Sequence, residues 1–269
     1  MGRNVPAVSR ALDILELFLQ QPLLSAADVV ARLGLPRTTV HELLVTLVDR
    51  RYLVQVPGQP LRYRLGVRVF QLGSVFAEQV DLAREAQLVA NDVAIACDET
   101  VHVAVREGRD VIYIARVDST HPVRMVSAVG RRLPAHCTGV GKMLLSDLSP
   151  DQFDSLYPPS TRLASMTPNS ITSAARLKSV LKQVRQEGLA FDDAESSEDV
   201  RCVAAGVRDH TGAMVAAMSI SVPTTRWSDG SRAKLMDLVR DGAARLSDNV
   251  GYRTPAGYGA PPDRHASRP

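Results

Sequence analysis

Cysteine is scarce in this sequence. Cys97, Cys137 and Cys202 are the three present in 269 residues, and no two stand at a paired spacing. That excludes a disulfide framework and makes a reduced cytoplasm with free thiols the expected setting. Long apolar runs are missing too: none approaches the ~18 residues needed to cross a bilayer, so no membrane span is expected. The N-terminus has no basic-then-apolar leader. Neither a fixed-period repeat nor a low-complexity segment precedes Gly251, where the chain becomes Gly-, Pro- and Arg-rich and is expected to be disordered. Lysine is absent from the first 64 residues, yet these hold eight Arg against five Asp and Glu, which accounts for the whole net charge of +3. A basic head on a neutral body suggests nucleic-acid binding at one end and another task at the other. The 45% hydrophobic and 23% charged content is an ordinary globular balance, enough for one or two domains.

What is present is organised around Leu24 to Tyr52, LSAADVVARLGLPRTTVHELLVTLVDRRY. Ser25 is placed to accept the first free amide of a helix, and Asp28, three positions on, completes a capping box. Val29, Val30 and Leu33 share a face, and Gly34 stands where a helix ends in a left-handed residue. Pro36 suits the first turn of a second helix, and Val40, Leu43, Leu44 and Leu47 keep the spacing of a buried stripe. This spacing predicts a helix-turn-helix. Arg37, Thr38, Thr39 and His41 are left on the outer face, where a recognition helix meets the major groove. Tyr52 to Val56 then reads as a strand, Pro57-Gly58-Gln59-Pro60 as a turn and Leu61 to Leu65 as a returning strand. Arg62 and Arg64 lie on its outer face, forming a wing that can lay arginine on phosphate. Residues 8 to 20 read as the first helix of the unit, with Leu12, Leu15 and Leu19 on one stripe flanked by Ala11, Ile14 and Phe18, and with Arg10 within reach of phosphate. Val67 to Val80 carries Val69, Leu72, Phe76 and Val80 at helical spacing. That is more apolar face than a spacer needs, and a second copy of the chain would cover it.

Beyond residue 81 the pattern predicts helices at Leu82 to Cys97, Thr138 to Leu145, Ser149 to Tyr157, Ser173 to Glu187 and from Ser228 to about Val250. It predicts strands at Val101 to Arg106, Val111 to Val117, Val123 to Val129, Cys202 to Asp209 and Ala213 to Val222. Paired strands separated by helices give an antiparallel sheet with helices packed on it, so the fold class is α+β. In LPAHCTGVGK, residues 133 to 142, the spacing fails a P-loop, since Lys142 is followed by Met143. His136 and Cys137 are adjacent, so their side chains should diverge and not form a catalytic pair. The stretch offers instead the Gly139 and Val140 amides at a helix start, an anion-binding arrangement. Ser219 and Ser221, two apart on a strand, point to one face.

The segments VSRALDILELF, LSAADVVARLGLPRTTVHELLVTL, LPAHCTGVGKMLLS and GLAFDDAESSEDVRCVAAGVRDHTGAMVAAMSISVP, in that order, resemble the isocitrate lyase regulator (IclR) family of bacterial transcription factors. The resemblance runs from about Val5 to Val250. It implies a winged helix-turn-helix DNA-binding domain over 5–66, a linker and dimerisation helix over 67–80, and a GAF-like mixed α/β effector-binding domain over 81–250, followed by the tail 251–269. It also implies a homodimer or homotetramer on a palindromic double-stranded DNA operator, answering to a small organic acid or aromatic effector. Positions matching the family's effector site are Met125, Leu133, Gly139, Val140, Asp192, Cys202, Ser219 and Ser221. After Asp193 this chain has Ala194-Glu195-Ser196-Ser197 where the family usually carries paired glutamates, so the rim of the pocket differs. A carboxylate or phenolic acid suits two serine hydroxyls facing helix-start amides, with Met125, Leu133 and Val140 as apolar wall.

No catalytic residue, cofactor or metal is expected. The competing reading is a cytoplasmic hydrolase working through His136 and Cys137 with an N-terminal interaction module. It has no catalytic spacing to support it, and His102, His136, Cys137 and Cys202 follow no metal motif.

Overall fold

The structure, a computed structural model, describes residues 5–79, 81–121 and 128–252, with the side chains of 74 and 76–79 left out. It divides into two compact units, one up to Val80 and one from Asp81.

The first unit contains α1 (Pro6–Leu17), β1 (Leu24–Ser25), α2 (Ala26–Leu33), α3 (Arg37–Asp49), β2 (Leu53–Val56), β3 (Arg62–Leu65) and α4 (Val67–Gln79). The capping box forms as the sequence demands: the Asp28 N–H donates to Ser25 Oγ at 3.2 Å and the Ser25 N–H to Asp28 Oδ2 at 2.8 Å. Gly34 takes a left-handed φ of 64° and its N–H closes the helix on the Val30 carbonyl. Val29, Val40, Leu44 and Leu47 are buried in one core with Ile14, Phe18, Leu24, Leu53 and Tyr63. In α1 the expected flank becomes the inward stripe, Ile14 and Phe18 with Ala11, and Leu15 joins it, while Leu12 and Leu19 of the expected central stripe are exposed. The helix is rotated because its apolar residues fall on several faces, and Ile14 and Phe18 are the ones that join the core with Val29, Val40 and Leu44. The wing is an antiparallel sheet ordered β1-β3-β2, with Tyr63 inward and Arg62 and Arg64 outward. On α4, Val67, Phe70, Leu72 and Val75 are exposed and Val69 is half-buried. Of the expected stripe, the Phe76 side chain and Val80 lie outside the described residues.

The second unit contains α5 (Leu82–Cys97), β4 (Thr100–Glu107), β5 (Asp110–Val117), β6 (Arg132–Pro134), α6 (Gly139–Ser146), α7 (Pro150–Leu156), α8 (Ala174–Glu187), β7 (Ala190–Asp193), β8 (Val200–Arg208), β9 (Met214–Pro223) and α9 (Asp229–Asn249). Its strands form one antiparallel sheet in the order β6-β5-β4-β9-β8-β7. Helices α5 and α9 cover one face and α6, with α8 behind it, the other. Strand alternation divides β9 cleanly. Met218 meets α9 at Gly242, whereas Ala217 packs with Val140, Met143 and Leu177 on the α6 side. The strand expected over Val123 to Val129, with Met125, falls largely on residues 122–127, and the tail expected to be disordered falls from 253 onward on residues likewise outside those described.

Candidate functional site

The sequence-expected DNA contacts gather on the outside of the first unit. Arg10, Arg37, Thr38 and His41 are exposed, as are Arg62 and Arg64, while Thr39 is half-buried and turned partly toward the core. Pro36 caps α3 without a side-chain hydrogen bond. The first turn of α3 therefore presents Arg37 and Thr38 directly to solvent.

In the second unit, antiparallel register collects a set of polar side chains on the α6 face. Residues paired across a ladder project from the same face. One row runs Asp192–Cys202–Ser221–Thr100 across β7, β8, β9 and β4, and the next runs Ala190–Ala204–Ser219–His102. All eight are buried. The N-terminus of α6 lies over the second row: a Cβ on Gly139 would come within 3.3 Å of Ala204 Cβ, a tight contact that glycine avoids. Thr138 caps α6 by accepting the Gly141 N–H at 3.0 Å. Among the described residues neither the Gly139 nor the Val140 N–H has an acceptor, and the Ser219 hydroxyl has no partner. Leu133 and Val140 belong to the adjoining apolar cluster. Register and helix capping thus bring Gly139, Val140, Asp192, Cys202, Ser219 and Ser221 together, with Leu133 on the flank. Met125 lies outside the described residues.

Four residues of this neighbourhood were not singled out as site residues from sequence. His102 stacks on Tyr113 with ring centroids 4.5 Å apart, and its Nδ1 stands 3.3 Å from Ser221 Oγ. Burial, with help from Arg116, lowers the His102 pKa to about 3, so the ring is neutral. Lys142, one turn into α6, forms a buried ion pair with Glu195. A signal for the second pair existed: Lys142 sits inside GVGKMLLS, a run otherwise small or apolar, and a lysine with no polar face to occupy needs an internal partner.

Asp192 is turned toward its own loop. Its Oδ1 accepts the Glu195 N–H at 2.7 Å and the Ser196 N–H at 3.3 Å, and its Oδ2 accepts the Ser196 hydroxyl at 2.5 Å. Burial nevertheless raises its pKa from 3.8 to about 6, against the pull of those hydrogen bonds and of Lys142. A carboxyl that binds its proton more tightly folded than unfolded stabilises the fold fully below pH ~4. That contribution disappears as pH rises through about 6. Asp192→Asn should therefore flatten the stability curve between pH 4 and 7, removing a decline of up to about 3 kcal/mol relative to the parent chain. Denaturant titrations at each pH check this, and parallel curves for the two proteins would refute it.

His136 and Cys137 do not diverge as expected. They lie on a single 3-10 turn, Ala135–Cys137, which brings both to one carbonyl: His136 Nε2 donates to Ala164 O at 2.8 Å and Cys137 Sγ lies 3.9 Å from the same oxygen. Burial pushes the Cys137 thiol up to about 11, which keeps it protonated. The pair fastens the turn before α6 to the 163–170 loop.

Against this geometry stand the comparisons with known proteins. The IclR helix-turn-helix domain model matches residues 7–57 and the bacterial transcriptional regulator IclR C-terminal model matches residues 75–248. The chain belongs to the IclR family. Among its relatives is the HTH-type transcriptional regulator XynR of Escherichia coli (strain K12), 32% identical over 249 residues, covering 92% of this chain and 98% of that one. KdgR of the same organism is 30% identical over 249 residues, 93% of this chain and 94% of that one. The crystal structure of the Agobacterium tumefaciens repressor BlcR superposes with a TM-score of 0.82 at 31% identity, covering 94% of this chain and all of that one. The chain is an IclR-family DNA-binding transcriptional regulator with an effector-binding domain, not an enzyme. Among the described residues no helix is long and apolar enough to cross a membrane.

Proposed function

We propose that residues 5–66 bind DNA, that 67–80 form a linker through which two chains associate, and that 81–250 bind a small carboxylate or phenolic acid which alters operator affinity in the cytoplasm. The observation that supports the effector reading is the Ser219 hydroxyl near the Gly139 and Val140 amides, three donors on one buried face with no acceptor among the described residues. A carboxylate accepts from all of them, with each charged hydrogen bond worth ~1.5 to 3 kcal/mol. Asp192 sits at the edge of the same face, mostly satisfied by its own loop, and serves as an acceptor for a hydroxyl on the ligand. Cys202, Leu133 and Val140 supply the less polar wall, and Met125 is assigned there through the family resemblance alone. Ser219→Ala with Ser221→Ala should abolish effector-dependent operator release while ligand-free DNA binding persists. A double variant that responds as the parent chain does would remove the carboxylate site.

On the DNA side we assign base selection to Arg37, Thr38, Thr39 and His41 and phosphate contact to Arg10, Arg62 and Arg64. The exposed Val67, Phe70, Leu72 and Val75 of α4 support self-association, and so a palindromic operator read by a symmetric dimer or a tetramer built from dimers. Arg37→Ala should lower specific affinity by about 1 to 3 kcal/mol and relax base preference at one position. Arg62→Ala should weaken all sequences alike and reduce the salt slope by about one unit. Titrations on operator, half-site and random DNA at several salt concentrations separate these. Equal losses on operator and random DNA for Arg37→Ala would exclude it from readout, and equal affinity for half-site and full site would exclude the symmetric dimer.

A further inference from the structure

We infer that His102 is a positioning residue for effector binding: its Nδ1–H donates to the Ser221 hydroxyl oxygen and so turns the Ser221 proton toward the ligand. The inference rests on the α6 face of the sheet being the effector site. A serine hydroxyl has one proton to give and two lone pairs to fill. Ser221 Oγ lies 3.3 Å from His102 Nδ1 and 3.1 Å from Cys202 Sγ. Burial raises the Cys202 thiol far above its ordinary pKa, so it stays protonated and keeps a proton to give to Ser221 Oγ. With the imidazole N–H and the thiol S–H both donating, the lone pairs are filled and the hydroxyl proton is left for an acceptor brought by the ligand.

The other tautomer reverses this arrangement. Were Nδ1 bare, Ser221 would give its proton to the ring and face a carboxylate with a lone pair only, which repels an anion. The neutral ring can take either form, and the tautomer decides whether the Ser221 proton goes to the ring or is left for the ligand. The ring plane is held by its stack on Tyr113, at 27° between planes, and by its station opposite Ser219 in the β4–β9 ladder. His102 thus acts through Ser221 and selects acceptor-rich ligands, carboxylates before alcohols or amines. Cys202 acts through the same hydroxyl as well as standing in the wall of the site.

Two measurements test it. In the full-length chain with histidine labelled at nitrogen, long-range proton–nitrogen spectra read which ring nitrogen of each of the six histidines is protonated. His102 should carry its proton on Nδ1 from pH 5 to 8. A proton on Nε2 overturns the inference whether or not any effector binds. The second measurement compares His102→Asn, whose amide nitrogen takes the place of Nδ1 as donor, with His102→Gln, whose amide reaches the other ring position. For an acid found to release the parent protein from DNA, Asn should keep the dissociation constant within about threefold, and Gln should raise it roughly tenfold or more. Equal behaviour of the two variants overturns the relay. A Ser219/Ser221 double variant that responds to that acid as the parent chain does strikes the site assignment instead, and leaves the tautomer reading as an independent result.

Discussion

Lys142→Met should destabilise the second unit by about 3 to 5 kcal/mol, because it strands the Glu195 carboxylate in the interior beside Asp192. Lys142 is 2% exposed, so water cannot replace the ammonium. Glu195 is poorly equipped to stand alone. Its Oε2 has no hydrogen-bond partner among the described residues, and the pair with Lys142 is what its side chain has. Thr167 and Ser170 do not help, since they spend their hydroxyls on the carbonyls of Ala194 and Glu195. The loss would be a large fraction of the 5 to 15 kcal/mol typical of a whole domain. Lys142→Met combined with Glu195→Gln should recover most of it, because the uncompensated charge is then gone and the methionine fills the lysine's path through the core. Urea denaturation of the three proteins checks this. A single variant within about 1 kcal/mol of the parent, or a double variant no better than the single, would show that the ion pair does not carry the loop.

That pair also marks where sequence reading stopped. The helix-turn-helix was legible because each determinant is local: Ser25 and Asp28 are three apart, and Gly34 and Pro36 mark the turn within the next two residues of each other. The rows of the sheet were half legible. Alternation placed Ser219 and Ser221 on one face, but the residues they meet come from far along the chain, His102 being 119 positions from Ser221 and Glu195 53 from Lys142. Pairings at that separation depend on register, and register is fixed by sheet order rather than by any short pattern. The misplaced face of α1 has a different origin. In VSRALDILELFLQ apolar residues fall on most sides of the helix, so periodicity left its rotation open, and the shape of the core chose Ile14 and Phe18. His136 and Cys137 were misread because extended or α-helical backbone was assumed, whereas a 3-10 turn directs both side chains to Ala164.

Gly141→Ala should cost about 3 kcal/mol or more and disable effector response at the same time, since this glycine holds the turn on which the α6 amides depend. A Cβ at this position would lie 2.1 Å from Ala135 O and 2.4 Å from Ala135 Cα, both backbone atoms, so no side chain can rotate out of the way. The turn itself cannot easily retreat. Ala135 N–H is bonded to Arg109 O at 2.9 Å, and His136 holds Ala164 O at 2.8 Å, so β5, the turn and the 163–170 loop would have to move together. The alternative is for α6 to slide away from the turn. That breaks the Thr138 cap on Gly141 and lifts Gly139 from its place against Ala204, carrying the Gly139 and Val140 amides away from Ser219. Either route misplaces the donors, and a displacement of about 1 Å is enough to lose a directional hydrogen bond. Gly230→Ala in α9 is the matched control. Nothing lies within 4 Å of the added methyl there, so it should be neutral or stabilising by about 0.5 to 1 kcal/mol. Thermal denaturation and effector-dependent operator release, measured on both variants, decide the matter. A stable and responsive Gly141→Ala protein would mean that the turn yields without dragging the helix, and that the α6 amides are not part of the effector site.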